Sequence, residues 1–259
     1  MPVDKAVVLS TPTTASAPIP TSTASPRPTI APSPTAAPSA TPAFSVCSPL
    51  AGVAISELPA AVSNPYHPPK AGRDEPHAGV DLADRQPGTQ IALAGREVDA
   101  ALAGRVAVVI QDRFPFGNAI IVETAYADLP RDYLVRLALP PVRPAFAPPG
   151  PLSCPAPSIP SGWDFSQPSL YVLYAHMQQG PTLAAGDLVG CGKALGQVGM
   201  TGNALNPHLH LEIRAGPGEA SFGSLAHYTD SATPEEMRSY CAWSVSGLFQ
   251  LADPLGLFK

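Results

Sequence analysis

Short runs of alternating apolar and polar residues recur through the chain from about residue 90 to residue 214. Such alternation predicts β-strands, because successive side chains of a strand point to opposite faces of a sheet. β-Branched residues support the prediction, most clearly in 119–124. The pattern therefore predicts an all-β fold. The predicted strands cover residues 90–93, 98–110 with a kink or turn at Gly104, 119–124, 170–177, 187–189, 194–198 and 208–213.

Clear helix signals are confined to one place near the C-terminus. Thr233 provides an N-cap, Pro234 suits the first helical position, and Glu236 completes a capping box. This arrangement predicts a short C-terminal helix over about 234–242. Residues 132–139 fit either a short strand or a helix, and the pattern does not separate the two.

Two proline-rich stretches interrupt the alternation. Residues 1–43 contain ten prolines among Thr, Ser and Ala and show no hydrophobic period, which predicts a disordered, extended linker. Such segments are typical of stalks that hold exported domains away from a membrane or wall, and also of disordered tails in general. One folded domain is predicted over 44–259. Within it, residues 125–169 form a long Pro-rich insertion with eleven prolines, either a wall or lid beside a cleft or a surface addition held by one disulfide.

The bulk composition excludes several classes of partner. A net charge of −5 offers no basic surface for nucleic acid or for an anionic membrane. No apolar run approaches the ~20 residues that span a bilayer, so no transmembrane segment is predicted, and we expect a monomer. The first ten residues hold one lysine and a short apolar run, so no signal peptide is visible. Other features of the sequence bear on export.

The cysteines provide such a feature. All four are widely spaced and none forms a C-x-x-C pair, which argues against a thiolate zinc site. An even, widely spaced set predicts two disulfides in an exported protein, extracellular or in the cell envelope. The alternative is a cytosolic protein with four unpaired buried thiols. Three pairings can be drawn among Cys47, Cys154, Cys191 and Cys241, and the sequence does not choose among them.

His208 and His210 are the centre of the candidate chemistry. They are separated by one residue in a run that alternates with Leu209 and Leu211, so both imidazoles should project from one face of a strand. Imidazole is a good zinc ligand and can also move protons near neutral pH. The pair alone is weak evidence, because two histidines on a strand are also typical of an ordinary polar sheet face.

Two further segments strengthen the prediction of a metal site. His77 and Asp81 are four residues apart, a spacing that brings both side chains to one face of either a strand or a helix. His176 lies in a third strand-like segment, where period-2 alternation places it on the same face as Tyr174. Three separate segments thus each supply an imidazole or a carboxylate, as expected for a zinc site assembled by a β fold.

The ordered motifs resemble those of the lysostaphin-type zinc endopeptidases of peptidoglycan. The resemblance covers about residues 75–124 and 170–214 and does not extend to the N-terminal segment, the insertion or the C-terminal tail. It implies a compact antiparallel β fold, sandwich-like, with a groove that holds one Zn²⁺ per chain. The motifs are H-A-G-V-D from His77, F-G-N-A-I-I-V from Phe116, Y-A-H-M from Tyr174, G-Q-V-G-M-T-G-N from Gly196 and H-L-H-L-E-I-R from His208.

The resemblance also implies roles by motif position. His77, Asp81 and His210 would bind the metal, and His208 and His176 would flank the reaction without binding it. Water activated by zinc would attack the amide, with His208 as the general base that passes the proton to the leaving amine. His176 would hydrogen-bond the oxyanion or orient the water.

Three other residues near these motifs are weaker candidates. Asn118 and Tyr174 are expected to line the groove and contact substrate, although Tyr174 is equally compatible with the core. Glu212 shares the strand face of the two histidines, two residues beyond His210. We expect it either to support the ligand histidine from behind or to form a surface salt bridge.

Three functions are consistent with the sequence. The first is a zinc-dependent endopeptidase that cuts cross-links or stem peptides of peptidoglycan, which the complete set of five expected residues favours. The second is a non-catalytic or autoinhibited peptidoglycan-binding module that regulates a cell-wall hydrolase, which the insertion would favour if it blocked the groove. The third, a zinc-stabilised structural domain, fits less well because structural sites usually have four protein ligands.

Overall fold

The computed structural model describes residues 44–142, 146, 153–155 and 158–259. The predicted linker over residues 1–43 lies outside the described residues, as does much of the middle of the insertion. The described part contains ten β-strands. They are β1 (Val62–Asn64), β2 (Val80–Leu82), β3 (Glu97–Asp99), β4 (Gly104–Arg113), β5 (Gly117–Ala125), β6 (Asp164–Met177), β7 (Leu188–Val189), β8 (Ala194–Gln197), β9 (Leu209–Gly218) and β10 (Gln250–Ala252).

Eight of these strands form one large sheet. Their order is β1-β2-β9-β6-β5-β4-β7, and β10 pairs with the second half of β9. Strands β3 and β8 form a separate two-stranded sheet. Every strand pair is antiparallel. The predicted all-β, antiparallel class is therefore confirmed.

The structure corrects two of the strand predictions. Residues 98–110 do not form one bent strand, because β3 belongs to the small sheet and β4 begins at Gly104 in the large one. Residues 90–93 form no strand and contribute only the isolated pairing of Ala92 with Arg85. Alternation alone cannot tell a strand from an extended loop when no neighbouring strand provides a continuous ladder.

Helices are few and short in the described residues. The predicted C-terminal helix is confirmed as α3 (Pro234–Ser244). Its capping box is formed: the Thr233 hydroxyl accepts from the Glu236 amide, and the Glu236 carboxylate accepts from the Thr233 amide. No helix in the described part of the chain has both the length and the apolar character needed to cross a bilayer. The α-helices are α1 (Leu58–Ala61), α2 (Arg131–Leu137) and α3 (Pro234–Ser244), with short 3₁₀ turns at Ile55–Glu57, Tyr126–Asp128 and Pro254–Phe258.

The insertion over 125–169 is more regular at its two ends than predicted. Residues 132–139, for which a strand and a helix were both possible, lie mostly in helix α2. Tyr133 of this helix packs in the core and donates a hydrogen bond to the Leu257 carbonyl (3.1 Å). The last residues of the insertion already belong to β6, whose early part pairs with β9 as far as Gly218. Pairing with a long neighbouring strand, rather than local propensity, extends this element.

Two disulfides fasten loops to the sheets. Cys47 is joined to Cys191, and Cys154 is joined to Cys241, with Cα–Cα distances of 5.6 and 5.9 Å. No cysteine is left unpaired. The first bridge ties the entry segment to the turn before β8, and the second ties the insertion to α3. The prediction of two disulfides is confirmed, and the structure supplies the pairing.

Apolar side chains form one core on each face of the large sheet. On one face, Val98 and Leu195 of the small sheet pack against residues such as Val122, giving the sandwich-like arrangement of two sheets. On the other face, an aromatic core that includes Trp163 and Trp243 lies between the sheet and α3. The candidate site lies along this second face.

Candidate metal centre

The register between β2 and β9 brings Asp81 and His210 together. These two residues are direct cross-strand partners in the antiparallel pair. Side chains at such positions lie about 4.5–5.5 Å apart at Cβ and share one face of the sheet. Asp81 Oδ1 accordingly lies 2.8 Å from His210 Nδ1.

His77 reaches the same point from the loop that precedes β2. Its backbone pairs with that of His67 in an isolated bridge, and its Nδ1 lies 2.8 Å from the Pro65 carbonyl oxygen. Its Nε2 lies 3.1 Å from Asp81 Oδ1 and 3.2 Å from His210 Nδ1. The three atoms therefore form a compact triangle of two imidazole nitrogens and one carboxylate oxygen.

The hydrogen-bond partners on the outer side of the His77 and His210 rings fix where each ring carries its proton. The resulting arrangement suits a bound cation. The Pro65 carbonyl can only accept, so Nδ1 of His77 carries the proton and Nε2 turns its lone pair inward. Nε2 of His210 lies 3.1 Å from a Glu212 carboxylate oxygen and must likewise carry a proton. Two lone pairs and a carboxylate then converge within about 3 Å, an arrangement that a cation stabilises and that matches the three-ligand set of catalytic zinc sites.

The pKa values of the triangle agree with this assignment. Burial alone would lower the pKa of His210, but hydrogen bonds with Asp81 and Glu212 outweigh burial and raise it to about 9. Burial alone would raise the pKa of Asp81, but hydrogen bonds from His210 and His77 lower it well below its usual range. The site thus favours positive charge, which is supplied by an extra proton on His210 when no metal is bound.

Behind His210 lies a fully buried polar network. Glu212 Oε2 accepts hydrogen bonds from Arg214 Nε (2.9 Å) and from Trp243 Nε1 (3.2 Å), while Oε1 faces His210. Arg214 in turn donates to the Trp243 carbonyl (2.7 Å) and its guanidinium stacks 4.8 Å from the centre of the Trp243 ring. Burial raises the pKa of Glu212, but Arg214 and His210 outweigh it and lower it to about 2. Glu212 therefore supports His210 as an anion rather than forming a surface salt bridge.

Two more contacts hold Asp81 and His210 in place. Asn64 Nδ2 donates to Asp81 Oδ2 (3.1 Å), which leaves Oδ1 for the triangle. Gly79 lies so close to β9 that a Cβ atom there would be 2.4 Å from the Leu211 carbonyl oxygen and 2.8 Å from His210 Cε1. Only glycine permits this approach, so the Gly in H-A-G-V-D is required by the packing of the site.

His208 and His176 stand beside the triangle. Each donates from Nδ1 to a backbone carbonyl at 2.8 Å, His208 to Asn206 and His176 to Thr201. Neither Nε2 atom has a backbone partner among the described residues, and Nε2 of His208 lies 3.5 Å from Asp81 Oδ1. The two rings are 4.9 Å apart. Burial, with the charges of His210 and His208, lowers the pKa of His176 to about 3, so His176 is neutral at ordinary pH.

Tyr174 does not line the groove, and it does not share a face with His176. The Tyr174 ring is fully buried in the core between the sheets, where its hydroxyl accepts from the Ala101 amide (2.8 Å). His176 has a positive φ of 63°, a conformation that side chains rarely adopt. This local turn at the end of β6 breaks the alternation and directs His176 to the opposite face. The predicted shared face and the predicted substrate contact of Tyr174 are both wrong.

Asn118 is also a structural residue rather than a groove residue. Its Oδ1 accepts from the Asp112 amide (2.9 Å), and its backbone amide donates to Thr201 Oγ1 (2.9 Å). Thr201 Oγ1 donates in turn to the Met177 carbonyl (2.8 Å). Asn118 and Thr201 thus join the β4–β5 turn to the loop that holds His176.

Several residues that hold the site were missed from sequence. Asn64 is the last residue of β1 and lies outside the motifs. The roles of Pro65 and Asn206 rest on backbone carbonyls, which leave no side-chain signal. Trp243 lies in α3, outside every motif. Arg214 ends the H-L-H-L-E-I-R motif, and the alternation that places it on the face of His210 was the available signal.

The site opens into a groove of about 760 Å³. Its walls come from the loop before β2, the turn at 114–116, the loop at 203–206 and the region of α3. No described residue of the 125–169 insertion lines it. The described part of the insertion therefore forms neither a lid nor a plug. A second group of potential ligands, Cys154, His227 and Cys241, is closed to metals because its two sulfurs form a disulfide.

Residues 166–221 match the model of a family described as Peptidase family M23. This segment contains most of β6 and the whole of β9, and it carries His176, His208 and His210. The resemblance to the lysostaphin-type M23 peptidases is confirmed. No curated protein matches the chain.

Solved structures similar to the chain include three M23 proteins. A putative peptidase M23 from Pseudomonas aeruginosa is 22% identical (TM-score 0.31), and the similarity covers 59% of this chain and 42% of that one. The catalytic domain of a prophage-encoded M23 protein from Enterococcus faecalis is 17% identical (TM-score 0.36; 62% and 85% covered). The catalytic domain of lysostaphin from Staphylococcus simulans is 19% identical (TM-score 0.36; 65% and 89% covered). The chain thus spans less than half of the Pseudomonas protein.

Proposed function

We propose that the domain over 44–259 is a zinc-dependent endopeptidase that hydrolyses peptide bonds in peptidoglycan cross-links or stem peptides. The observation that carries the proposal is the convergence of three electron-pair donors, from His77, Asp81 and His210, beside two histidines with unused Nε2 atoms. A structural metal site would need neither the open groove nor the two additional histidines.

His77, Asp81 and His210 would hold one zinc ion. When bound, zinc lowers the pKa of water toward ~7 and polarises a carbonyl oxygen. The outer contacts of the three residues serve this role: Pro65 and Glu212 each hold the proton of one ring on the side that faces away from the metal. Such partners fix the tautomer and orientation of ligand histidines.

His208 is the proposed general base. Its Nδ1–H is held by the Asn206 carbonyl, so Nε2 is the atom that exchanges protons. This atom lies 3.5 Å from Asp81 Oδ1, at the edge of the triangle. It can accept a proton from a water molecule held beside the triangle and then donate that proton to the departing amine nitrogen.

His176 is proposed to position the attacking water. Its Nδ1–H donates a hydrogen bond to the Thr201 carbonyl. Its low pKa keeps Nε2 unprotonated. In this state Nε2 can only accept a hydrogen bond. Through this atom His176 can orient the attacking water or a substrate N–H.

The test combines metal analysis with a cell-wall assay. The purified protein is analysed for zinc, and its action on cell-wall sacculi is followed by the release of new amino groups. We expect one zinc per chain and release that stops on chelation and returns with added zinc. Zinc without any release would refute the peptidase and leave the regulatory, peptidoglycan-binding alternative, which the open groove does not favour.

The location of the protein is part of the same proposal. Two disulfides stabilise proteins in oxidising environments, and the substrate class lies outside the cytoplasm. We infer that the chain acts in the cell envelope or extracellularly, with residues 1–43 as a linker and the folded domain as a monomer. Retention of both disulfides in protein taken from its natural source would agree with this, and free thiols there would contradict it.

A further inference from the structure

An aromatic and acidic cluster lines the groove beside the metal centre. Asp74 Oδ2 accepts hydrogen bonds from the hydroxyls of Tyr228 (2.5 Å) and Tyr240 (2.6 Å). The Tyr228 ring meets Tyr240 at a centroid distance of 6.0 Å and Phe114 at 6.5 Å, in both cases edge to face. All four residues line the groove that contains His77, and Tyr228 is 53% exposed.

The carboxylate of Asp74 has two phenol donors and no ion-pair partner among the described residues. Burial and the neighbouring Asp74 raise the pKa of both Tyr228 and Tyr240, so the two phenols remain neutral donors. Glu75 adds a second carboxylate to the same wall of the groove.

The geometry favours one kind of cation. A guanidinium binds a carboxylate best through both oxygens, but Oδ2 of Asp74 already accepts from two phenols. A divalent metal ion prefers several charged or carbonyl oxygens, and protonated phenols are poor ligands. A primary ammonium is a compact charge that needs only the remaining oxygen, and the faces of Tyr and Phe rings attract it as well.

The cluster is close enough to the metal centre to act on the same substrate. Asp74 precedes His77 by three residues, and three residues span at most ~10 Å. An extended peptide advances about 3.3 Å per residue. Because Asp74 and the three residues of the triangle line the same groove, one peptide can reach both sites.

We propose that Asp74, with the rings of Tyr228, Tyr240 and Phe114, binds a primary ammonium group of the substrate and so selects peptides that carry a free amine near the cut bond. This inference rests on the proposed function, since it names a specificity site in the same groove. The amine would be either a diamino-acid side chain or a free N-terminus.

Binding of a stem-like tetrapeptide, L-Ala-D-Glu-L-Lys-D-Ala, tests the proposal. Four forms are compared by calorimetry on the zinc-loaded protein: both amines free, only the N-terminus acetylated, only the lysine acetylated, and both acetylated. We expect acetylation of one particular amine to weaken binding about tenfold, equivalent to about 1.4 kcal/mol, and the form affected identifies the source of the amine. Equal binding of all four forms would overturn the proposal.

Variants assign the effect to this cluster. Asp74→Asn removes the charge of the carboxylate. This variant should bind all four forms as weakly as wild type binds the form that lacks the recognised amine. Tyr228→Ala should reduce the preference several-fold, and because this side chain is largely exposed it serves if Asp74→Asn does not fold. Asp128→Asn removes an exposed carboxylate that does not line the groove and should leave the preference intact. A preference that survives Asp74→Asn, or that Asp128→Asn also removes, would refute the assignment.

Failure of this proposal can be told from failure of the proposed function. Zinc-loaded wild type that releases no amines from sacculi contradicts the peptidase, and the calorimetry still tests the ammonium site because it does not require cleavage. Wild type that cleaves sacculi equally well before and after chemical acetylation of their free amines contradicts the ammonium site alone.

Discussion

Replacing Glu212 by Gln should weaken zinc binding although no proposed ligand is replaced. The substitution keeps the size of the side chain and removes the charge that holds the Nε2 proton of His210. It also leaves Arg214 without its carboxylate partner in a place where only 1% of that residue is exposed. The prediction therefore concerns two quantities, the stability of the fold and the affinity for zinc.

The contacts of Glu212 set the size of both effects. Breaking one side of a buried ion pair costs about 3–5 kcal/mol. Gln keeps one oxygen, and Arg214 keeps the Trp243 carbonyl, so we expect the lower end, about 3 kcal/mol of unfolding free energy. Loss of a carboxylate behind a ligand histidine costs about 10–100-fold in metal affinity, which corresponds to about 1.4–2.7 kcal/mol.

Two measurements separate these effects. Denaturant unfolding of the chelator-treated protein measures stability, and competition with a chromophoric chelator measures zinc affinity of the folded protein. Glu123→Gln is the matched control, because Glu123 is also buried, pairs with Arg105 and accepts from Tyr171 (2.9 Å). It lies on β5, outside the groove. This control should lose stability and keep wild-type zinc affinity.

Either of two results would refute the reasoning. Glu212→Gln with unchanged zinc affinity would mean that the network only stabilises the fold. Glu123→Gln with an equal loss of zinc affinity would mean that any weakening of the sheet loosens the metal centre, and that Glu212 has no specific part in it.

Three further predictions concern the same centre. His208→Ala should retain zinc and lose amine release, whereas His210→Ala should lose zinc; equal zinc loss in both would contradict the ligand assignment. Gly79→Ala should lower the unfolding free energy by about 1–3 kcal/mol and lower zinc affinity, because its methyl group would overlap the Leu211 carbonyl. Gly190→Ala is the control and should be tolerated in the same assays, because no atom lies within 4 Å of the added Cβ. In metal-free protein the pKa of His210 is raised to about 9, and protonation of this side chain stabilises the fold fully below pH ~6.5. Denaturant unfolding should therefore show stability falling as the pH rises toward 9. Constant stability over that range would contradict this prediction.

Much of the site followed from local pattern. Alternation along β9 placed His208, His210 and Glu212 on one face, and the register with β2 agrees with that placement. The signal was strong because successive side chains of a regular strand alternate between the two faces of the sheet. The capping box of α3 was equally readable, since it depends on residues three apart in sequence.

Where local pattern failed, a tertiary contact overrode it. The left-handed backbone at His176 is held by hydrogen bonds to Phe116 and Thr201, and without it His176 would follow Tyr174 in the ordinary alternation. Asn118 resembled a groove residue by its place in a motif, but its side chain is occupied by the Asp112 amide. Residues distant in sequence decide both cases.

The sequence by itself determined the class of fold, the candidate ligands and the presence of enough cysteines for two bridges, because these depend on residue type and on spacing within one strand. Tertiary structure alone decided which cysteines pair, that Glu212 is a buried anion between His210 and Arg214, and that Asp74 meets two tyrosines more than 150 residues away. The physical reason is common to all three. Burial and charge partnership depend on which segments the sheet brings together, and that information is held by the whole chain rather than by any one stretch of it.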